Sequence, residues 1–125
     1  MIHFDMNFLI RGLTPGTPEQ RAWDQWVEDR IPVRVSAQAW AEFMCGPVSQ
    51  VDVTTARLTL GTPIPVNGAD AELATELFNA AGRRRGSLGD CLVAAKAIRD
   101  NAELATANTA DFARFAPRGL RLAAP

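Results

Sequence analysis

Apolar residues along the chain recur with two different spacings, and stretches of the two kinds alternate. Short, nearly continuous apolar runs are typical of buried strands, and they lie at residues 1–4, 33–35, 64–66, 103–106 and 120–122. Apolar residues spaced as on one helix face lie at residues 5–11, 19–30, 37–45, 51–60, 70–81, 87–99 and 110–115. This alternation predicts an α/β fold: a three-layer α/β/α domain with a central, mostly parallel sheet of four to five short strands.

The same patterns assign several side chains to the interior. His3, within the first predicted strand, is expected to be a packed core residue rather than a catalyst. The helix over 87–99 is expected to point these residues inward: Leu88, Cys91, Leu92, Ala95 and Ile98. On apolar helical faces lie three residues expected in the core or in a dimer contact: Trp23, Trp26 and Trp40. Cys45 and Cys91 are expected to behave as small buried hydrophobes.

Length and composition place the chain among ordinary globular proteins. Its 125 residues correspond to a single domain over 1–125, and 47% of them are hydrophobic. The net charge of −1 excludes a global basic field, so any contact with nucleic acid must be local. The two cysteines make no disulfide framework, which favours a reducing compartment. With no signal-peptide pattern and no long apolar stretch, we expect a cytoplasmic protein without a membrane segment.

Four acidic residues fall where an α/β chain would bring them together: Asp5, Glu42, Asp90 and Asp111. Carboxylates clustered at the carboxyl ends of parallel strands repel one another and raise one another's pKa unless a cation neutralises them. Hard divalent cations prefer oxygen ligands, so the cluster predicts Mg²⁺ or Mn²⁺. A metal–carboxylate site in a small chain indicates phosphoryl chemistry.

Each of these acids also has a purely structural interpretation. Asp5 suits an N-cap for the helix that follows it. Residues 87–90 and 108–111 each resemble a capping box, with Asp90 or Asp111 as its acidic member. Glu42 suits a solvated position in the middle of its helix.

A basic loop at residues 82–86 directly precedes the helix that carries Asp90. Its side chains Arg83, Arg84 and Arg85 suit contacts with an RNA backbone. Runs of like charge are more often simply solvated, and the excess of Arg over Lys also follows from GC-rich coding. Both interpretations of the loop stay open.

Four short motifs, in this order, resemble those of PIN domains. They are DMNFLI at 5–10, SAQAWAEF at 36–43, GDCLVAAKA at 89–97 and ATANTADF at 105–112. Their order and the chain length are similar to VapC-type ribonuclease toxins of bacterial toxin–antitoxin systems. The resemblance implies Mg²⁺- or Mn²⁺-dependent RNA cleavage, homodimers, and inhibition by a cognate antitoxin of VapB type.

The resemblance also assigns roles to individual residues. Asp5, Glu42 and Asp90 match the acidic triad of the family, and Asn108 and Asp111 are both candidates for the fourth position. We expect Asp5, Glu42, Asp90 and Asp111 to form the catalytic metal site, with Asn7 and Asn108 orienting the ligands. The charge pattern, rather than the resemblance, makes Arg83, Arg84, Arg85 and Arg11 the expected RNA contacts, and Arg114 is a further candidate if the loop is structural. Met6 departs from the small hydroxyl residue usual at its position.

Three other interpretations compete with this one. A phosphatase of the haloacid-dehalogenase type needs a second Asp where this chain has Asn7. A receiver domain needs a Lys after a late strand, whereas Lys96 lies inside a predicted helix. The last alternative keeps the fold but makes the chain an RNA-processing nuclease that is not a toxin, or a catalytically silent RNA- or protein-binding module. A small antitoxin-like reading frame upstream of the gene would favour the toxin.

Overall fold

A parallel sheet forms the centre of the computed structural model, which describes residues 1–124. Its strands are β1 (Ile2–Phe4), β2 (Val33–Arg34), β3 (Glu103–Ala105) and β4 (Arg121–Leu122). They lie in the order β2-β1-β3-β4, and every neighbouring pair is parallel. The predicted α/β fold with a parallel sheet is therefore confirmed. Because β1 lies between β2 and β3, the residue that follows β1 lies near the middle of the sheet edge.

The helices follow the predicted segments closely. They are α1 (Met6–Gly12), α2 (Pro18–Glu28), α3 (Ala37–Cys45), α4 (Gln50–Leu60), α5 (Gly68–Ala80), α6 (Leu88–Arg99) and α7 (Thr109–Ala113). A 3₁₀ turn at Ala116–Arg118 leads from α7 towards β4. Among residues 1–124, no helix has the length and apolar character needed to cross a membrane.

Local capping explains where several helices begin. The Ser36 hydroxyl accepts a hydrogen bond from the Ala39 N–H at 3.2 Å and thereby caps α3. Asn67 and Asp70 form a reciprocal capping box at the start of α5. Such side chains satisfy N–H groups that have no partner inside the helix.

Three predictions about individual segments are wrong. Residues 64–66 form only one bridge, between Ile64 and Ser36, because the flanking Pro63 and Pro65 have no N–H to donate to a ladder. Leu88 is 50% exposed rather than inward, since it opens its helix at the edge of the fold. Cys45 is exposed, whereas Cys91 is buried as expected.

An aromatic cluster fixes α1 and α2 against the sheet. The Phe4 ring meets Trp23 edge to face at a centroid distance of 4.9 Å, and Phe8 stacks on Trp26 at 5.5 Å. Both tryptophans are buried, which confirms the prediction that they lie in the core. A Cβ atom on Gly12 would lie 2.7 Å from the Trp23 ring, so the two helices approach where a side chain is absent. This packing holds the first turn of α1 at the carboxyl end of β1.

Candidate active site

Asp5 lies at the junction of β1 and α1, beside the end of β3. Its backbone N–H donates to the Ala105 carbonyl at 2.9 Å. Its Oδ1 accepts from the Met6 N–H at 2.8 Å, and its Oδ2 accepts from the Thr106 hydroxyl at 3.0 Å. The residue is the N-cap of α1 and is only 4% exposed. The cap interpretation is therefore correct, and it leaves the carboxylate at the sheet edge where ligands bind in α/β folds.

Thr106 and Asn7 form the support behind Asp5. The Thr106 hydroxyl lies 3.0 Å from Asp5 Oδ2 and 3.2 Å from Asn7 Oδ1, and it accepts from the Asn108 N–H at 2.9 Å. Asn7 Oδ1 also accepts from the Ala107 N–H at 3.1 Å. The structure thus places Asn7 against the residue that bonds to Asp5. Sequence reasoning missed Thr106, although its position at the end of a predicted strand on the ligand edge was the available signal.

Glu42 points from α3 towards the start of α6. A Cβ atom on Gly89 would lie 3.1 Å from Glu42 Oε2 and 3.4 Å from Gln38 Nε2, so glycine at 89 allows the two helices to approach. Glu42 Oε1 is buried and has no hydrogen-bond partner among the described residues. A buried carboxylate oxygen without a partner is costly. The expectation of a solvated mid-helix residue is therefore wrong.

Asp90 lies in the first turn of α6 and is not used as a cap. Ser87 makes no side-chain capping bond, and its hydroxyl instead donates to the Arg84 carbonyl at 2.7 Å. The capping box predicted for residues 87–90 is therefore absent. Asp90 Oδ2 lies 3.9 Å from a terminal nitrogen of Arg114, which is too long for a hydrogen bond. The carboxylate is left half-buried and available.

The pKa shifts show that Asp5, Glu42 and Asp90 share one environment. Burial raises the pKa of Asp5 to about 6 against the hydrogen bonds from Thr106 and Met6, and Asp90 raises it further. Burial, then the charges of Asp5 and Asp90, raise the pKa of Glu42 to about 6. Burial also raises the pKa of Asp90, while Arg114 opposes the shift. Carboxyl groups that disfavour one another's charge form a site that a cation would stabilise.

Asp111 and Asn108 lie at the rim of this cluster. The Asn108 side-chain amide donates to Asp111 Oδ2 at 2.6 Å, and Arg84 approaches Asp111 Oδ1 at 3.5 Å. The bond from Asn108 and the charge of Arg84 lower the pKa of Asp111. Asn108 makes no capping bond to α7, so the second predicted capping box is replaced by a bond between side chains. Asp111 already has partners, unlike Oε1 of Glu42.

The donor set fits a hydrated Mg²⁺ or Mn²⁺ better than an ion enclosed by protein. Within residues 1–124, no three His, Cys, Asp or Glu side chains are arranged to surround one metal ion. Magnesium keeps several waters and is usually held by one or two carboxylates. The unpartnered Glu42 Oε1 and the raised pKa values of Asp5 and Asp90 fit this kind of binding.

The predicted RNA contacts differ in their exposure and in whether a nearby carboxylate already binds the guanidinium group. Arg83, Arg84 and Arg85 are exposed on the loop before α6. Positive φ angles at Gly82, Arg83 and Gly86 turn that loop. Arg11 instead donates through Nε to Glu19 Oε1 at the start of α2, so its guanidinium already has a carboxylate partner.

A second group of charges lies at the opposite end of α6, and we call it the charge cluster. Its charged members are Asp70, Lys96, Arg99 and Asp100, and the imidazole of His3, whose pKa is lowered by burial, lies beside them. Lys96 Nζ lies 3.3 Å from Asp70 and 3.1 Å from Asp100, and Arg99 lies 2.8 Å from Asp70. His3 lies 3.1 Å from Asp100 and is 1% exposed. His3 is a packed core residue, as predicted, and Lys96 pairs with carboxylates inside the fold.

Comparisons with known proteins agree with this geometry. The family model for the PIN domain matches residues 2–117. A chain of VapBC2 from Rickettsia felis, solved bound to a DNA fragment from its promoter, aligns with a TM-score of 0.77 at 20% identity, covering 98% of each chain.

Two further solved structures have the same fold. A chain of FitAcB from Neisseria gonorrhoeae aligns with a TM-score of 0.75 at 22% identity, over 100% of this chain and 98% of its own. A toxin–antitoxin complex from Klebsiella pneumoniae gives 0.71 at 26% identity, over 90% and 91%. No curated protein matches the sequence.

Proposed function

Because the chain belongs to the PIN domain family, we propose that it is a Mg²⁺- or Mn²⁺-dependent endoribonuclease, the toxin of a VapBC-type toxin–antitoxin pair. The observation that carries the proposal is the group of three carboxyl groups, Asp5, Glu42 and Asp90. Burial raises the pKa of all three at the carboxyl edge of the sheet; Asp90 further raises that of Asp5, and both aspartates raise that of Glu42. Structural similarity to chains of VapBC2 and FitAcB supports the toxin assignment.

In this proposal, Asp5 and Asp90 would hold the cation, and Glu42 and Asp111 would complete the site. The Thr106 hydroxyl fixes the orientation of Asp5 by a hydrogen bond, and Asn7 lies against that hydroxyl on the other side. A bound divalent cation lowers the pKa of a water and neutralises charge on the phosphate. Hydrolysis of the RNA phosphodiester then needs no Ser, Cys or His nucleophile. His3, paired with Asp100 inside the fold, and Cys45, exposed at the end of α3, take no part.

The decisive variant is Asp90→Asn, which keeps the side-chain shape and removes the charge. We expect cleavage of single-stranded RNA in Mn²⁺ to fall by more than about 100-fold, since even residues behind metal ligands contribute about 10- to 100-fold. The variant should also lose most of the rise in melting temperature that Mn²⁺ gives the parent. The matched control is Asp24→Asn on the exposed face of α2. If Asp90→Asn cleaves RNA as fast as the parent, the assignment is wrong.

The partner in this proposal is an antitoxin of VapB type, and the protein acts as a homodimer in the cytoplasm. Similar solved structures include VapBC-1 from nontypeable Haemophilus influenzae and FitAB bound to a DNA fragment. The alternative is a PIN nuclease that processes RNA without being a toxin, or a silent binding module. Induced expression separates them: a toxin arrests growth, Asp90→Asn relieves the arrest, and the gene upstream restores growth to cells that express the parent.

A further inference from the structure

Arg114 lies beside the acidic site, and two nitrogens of its guanidinium group have no hydrogen-bond partner among the described residues. It follows α7 directly, and its guanidinium carbon lies 4.6 Å from the centre of the buried Phe115 ring. The side chain is 20% exposed, and its Nη2 lies 3.9 Å from Asp90 Oδ2. Nε and Nη2 are buried with no acceptor among the described residues. The fold therefore fixes a cation at this point and leaves two of its donors unused.

Several other arginines of the described chain have acceptors. Arg11 donates to Glu19, Arg99 donates to Asp70, and Arg121 donates to Asn101. Arg34 has a buried Nε without a partner, but its Nη2 donates to the Thr62 carbonyl at 2.9 Å. Arg114 differs because its one close charge, Asp90, is outside hydrogen-bonding distance and belongs to the proposed metal site.

We infer that Arg114 binds the phosphodiester group that is cleaved, an inference that rests on the proposed function. A guanidinium offers parallel N–H donors that match two phosphate oxygens. Stacking on Phe115 orients the group before the ligand arrives, which avoids reorganisation when negative charge develops on the phosphate. The side chain lies 3.9 Å from Asp90, so a phosphate bound there also reaches the carboxylates that would hold the cation. The exposed loop 82–86 then holds neighbouring phosphates.

The first test measures binding without any divalent cation. The probe is a fluorescein-labelled single-stranded RNA in EDTA at low salt. The variants are Arg114→Gln and Arg114→Lys. The control is Arg118→Gln, which changes an exposed arginine of the 3₁₀ turn. We expect Arg114→Gln to weaken binding at least about 5-fold and to reduce the salt slope by about 0.7. Arg114→Lys should restore the slope and only part of the affinity. Arg118→Gln should stay within about 2-fold.

The second test measures steady-state cleavage in Mn²⁺, where Arg114→Gln should lower kcat more than it raises KM, and Arg114→Lys should recover part of kcat. The inference is overturned if Arg114→Gln and the parent give the same RNA signal in EDTA, whether both bind or neither does. It is also overturned if Arg114→Gln lowers the melting temperature but leaves RNA binding and cleavage unchanged. The proposed nuclease fails separately: the parent would then bind RNA through Arg114 and yet not cleave it in Mn²⁺ or Mg²⁺.

Discussion

Two groups of charged side chains lie at opposite ends of helix α6: the acidic site and the charge cluster. They differ in how their charges are neutralised. In the charge cluster, burial acts to raise the pKa of Asp70, but the Asn67 N–H, Arg99 and Lys96 overcome it, and the pKa is lowered. At the acidic site, burial raises the pKa of Asp5 and Glu42 to about 6, and no cationic side chain among residues 1–124 offsets it.

This difference separates a structural group of charges from a functional one. Paired buried charges hold elements together, and removal of one partner leaves the other uncompensated. Carboxyl groups that lack a partner in the folded protein store unfavourable free energy, which binding of a cation releases. The three predictions below test this contrast, and they are ordered by the size of the expected effect on stability or binding.

The largest effect is expected at Asp70, which is fully buried. Asp70→Asn removes the charge that faces both Lys96 and Arg99, so we expect a loss of about 3–5 kcal/mol in unfolding free energy. Urea denaturation at pH 7.5 measures it. The control is Glu72→Gln, an exposed residue on the same helix, which should change stability by less than about 0.5 kcal/mol. Unchanged stability of Asp70→Asn would mean that the charge cluster does not hold α5 to α6.

In the metal-free protein, removing the charge of Asp5 is expected to raise the unfolding free energy, the opposite of the effect at Asp70. Its folded pKa is raised from 3.8 to about 6, so its stabilising contribution is present below pH about 4 and lost as the pH rises through about 6. Asp5→Asn should therefore match the parent near pH 4 and be more stable by about 1–3 kcal/mol at pH 7.5. Thermal melts in EDTA across this range measure the difference. Mn²⁺ should stabilise the parent far more than the variant.

A fall in stability of Asp5→Asn at pH 7.5 would instead show that the carboxylate matters mainly as the cap of α1 and the partner of Thr106. The parent offers an internal check. Because the pKa of Asp70 is lowered, its contribution is present above pH about 4 and is lost in more acidic solution. Asp5 in the acidic site and Asp70 in the charge cluster should thus respond to acid in opposite directions.

The smallest effect on stability is expected in the loop before α6. Replacing Arg83, Arg84 and Arg85 by Gln removes three exposed charges. Only Arg84 among them approaches a carboxylate of the described residues, Asp111 at 3.5 Å. The unfolding free energy should therefore change by no more than about 1 kcal/mol. Affinity for every RNA sequence should fall similarly, and the salt slope should drop by up to about 0.7 per lost contact. A triple variant that melts earlier but binds RNA with unchanged affinity and slope would make the loop structural.

Most of the fold could be predicted because its signals are local. Ser36 as the cap of α3 and the end of that helix at Cys45 follow from neighbouring residues. The strand expected at 64–66 fails because a strand needs a partner, and the prolines around Ile64 permit only one bridge. The sheet order and the parallel pairing of β1 with β3 follow from the general rules for alternating strands and helices.

The site was predicted only in part, because some of its contacts join residues that are far apart in the sequence. Asp5 and Asp90 could be found because each directly follows a strand or begins a helix. Thr106 acts through hydrogen bonds to residues near the other end of the chain, which no local pattern records. Arg114 could be named from the sequence only as a further candidate contact, because its unpartnered donors are seen only in three dimensions.

The bond between Thr106 and Asp5 also has a consequence for protein synthesis. It joins residues 101 positions apart, and β1 pairs with β3 rather than with a strand close in sequence on that side. Contacts of such high separation form late, because a long loop must close first. A nascent chain therefore cannot assemble this edge of the sheet until β3 and Thr106 have left the ribosome. The carboxylate of Asp5 therefore gains its Thr106 partner only after residue 106 has been made and has emerged.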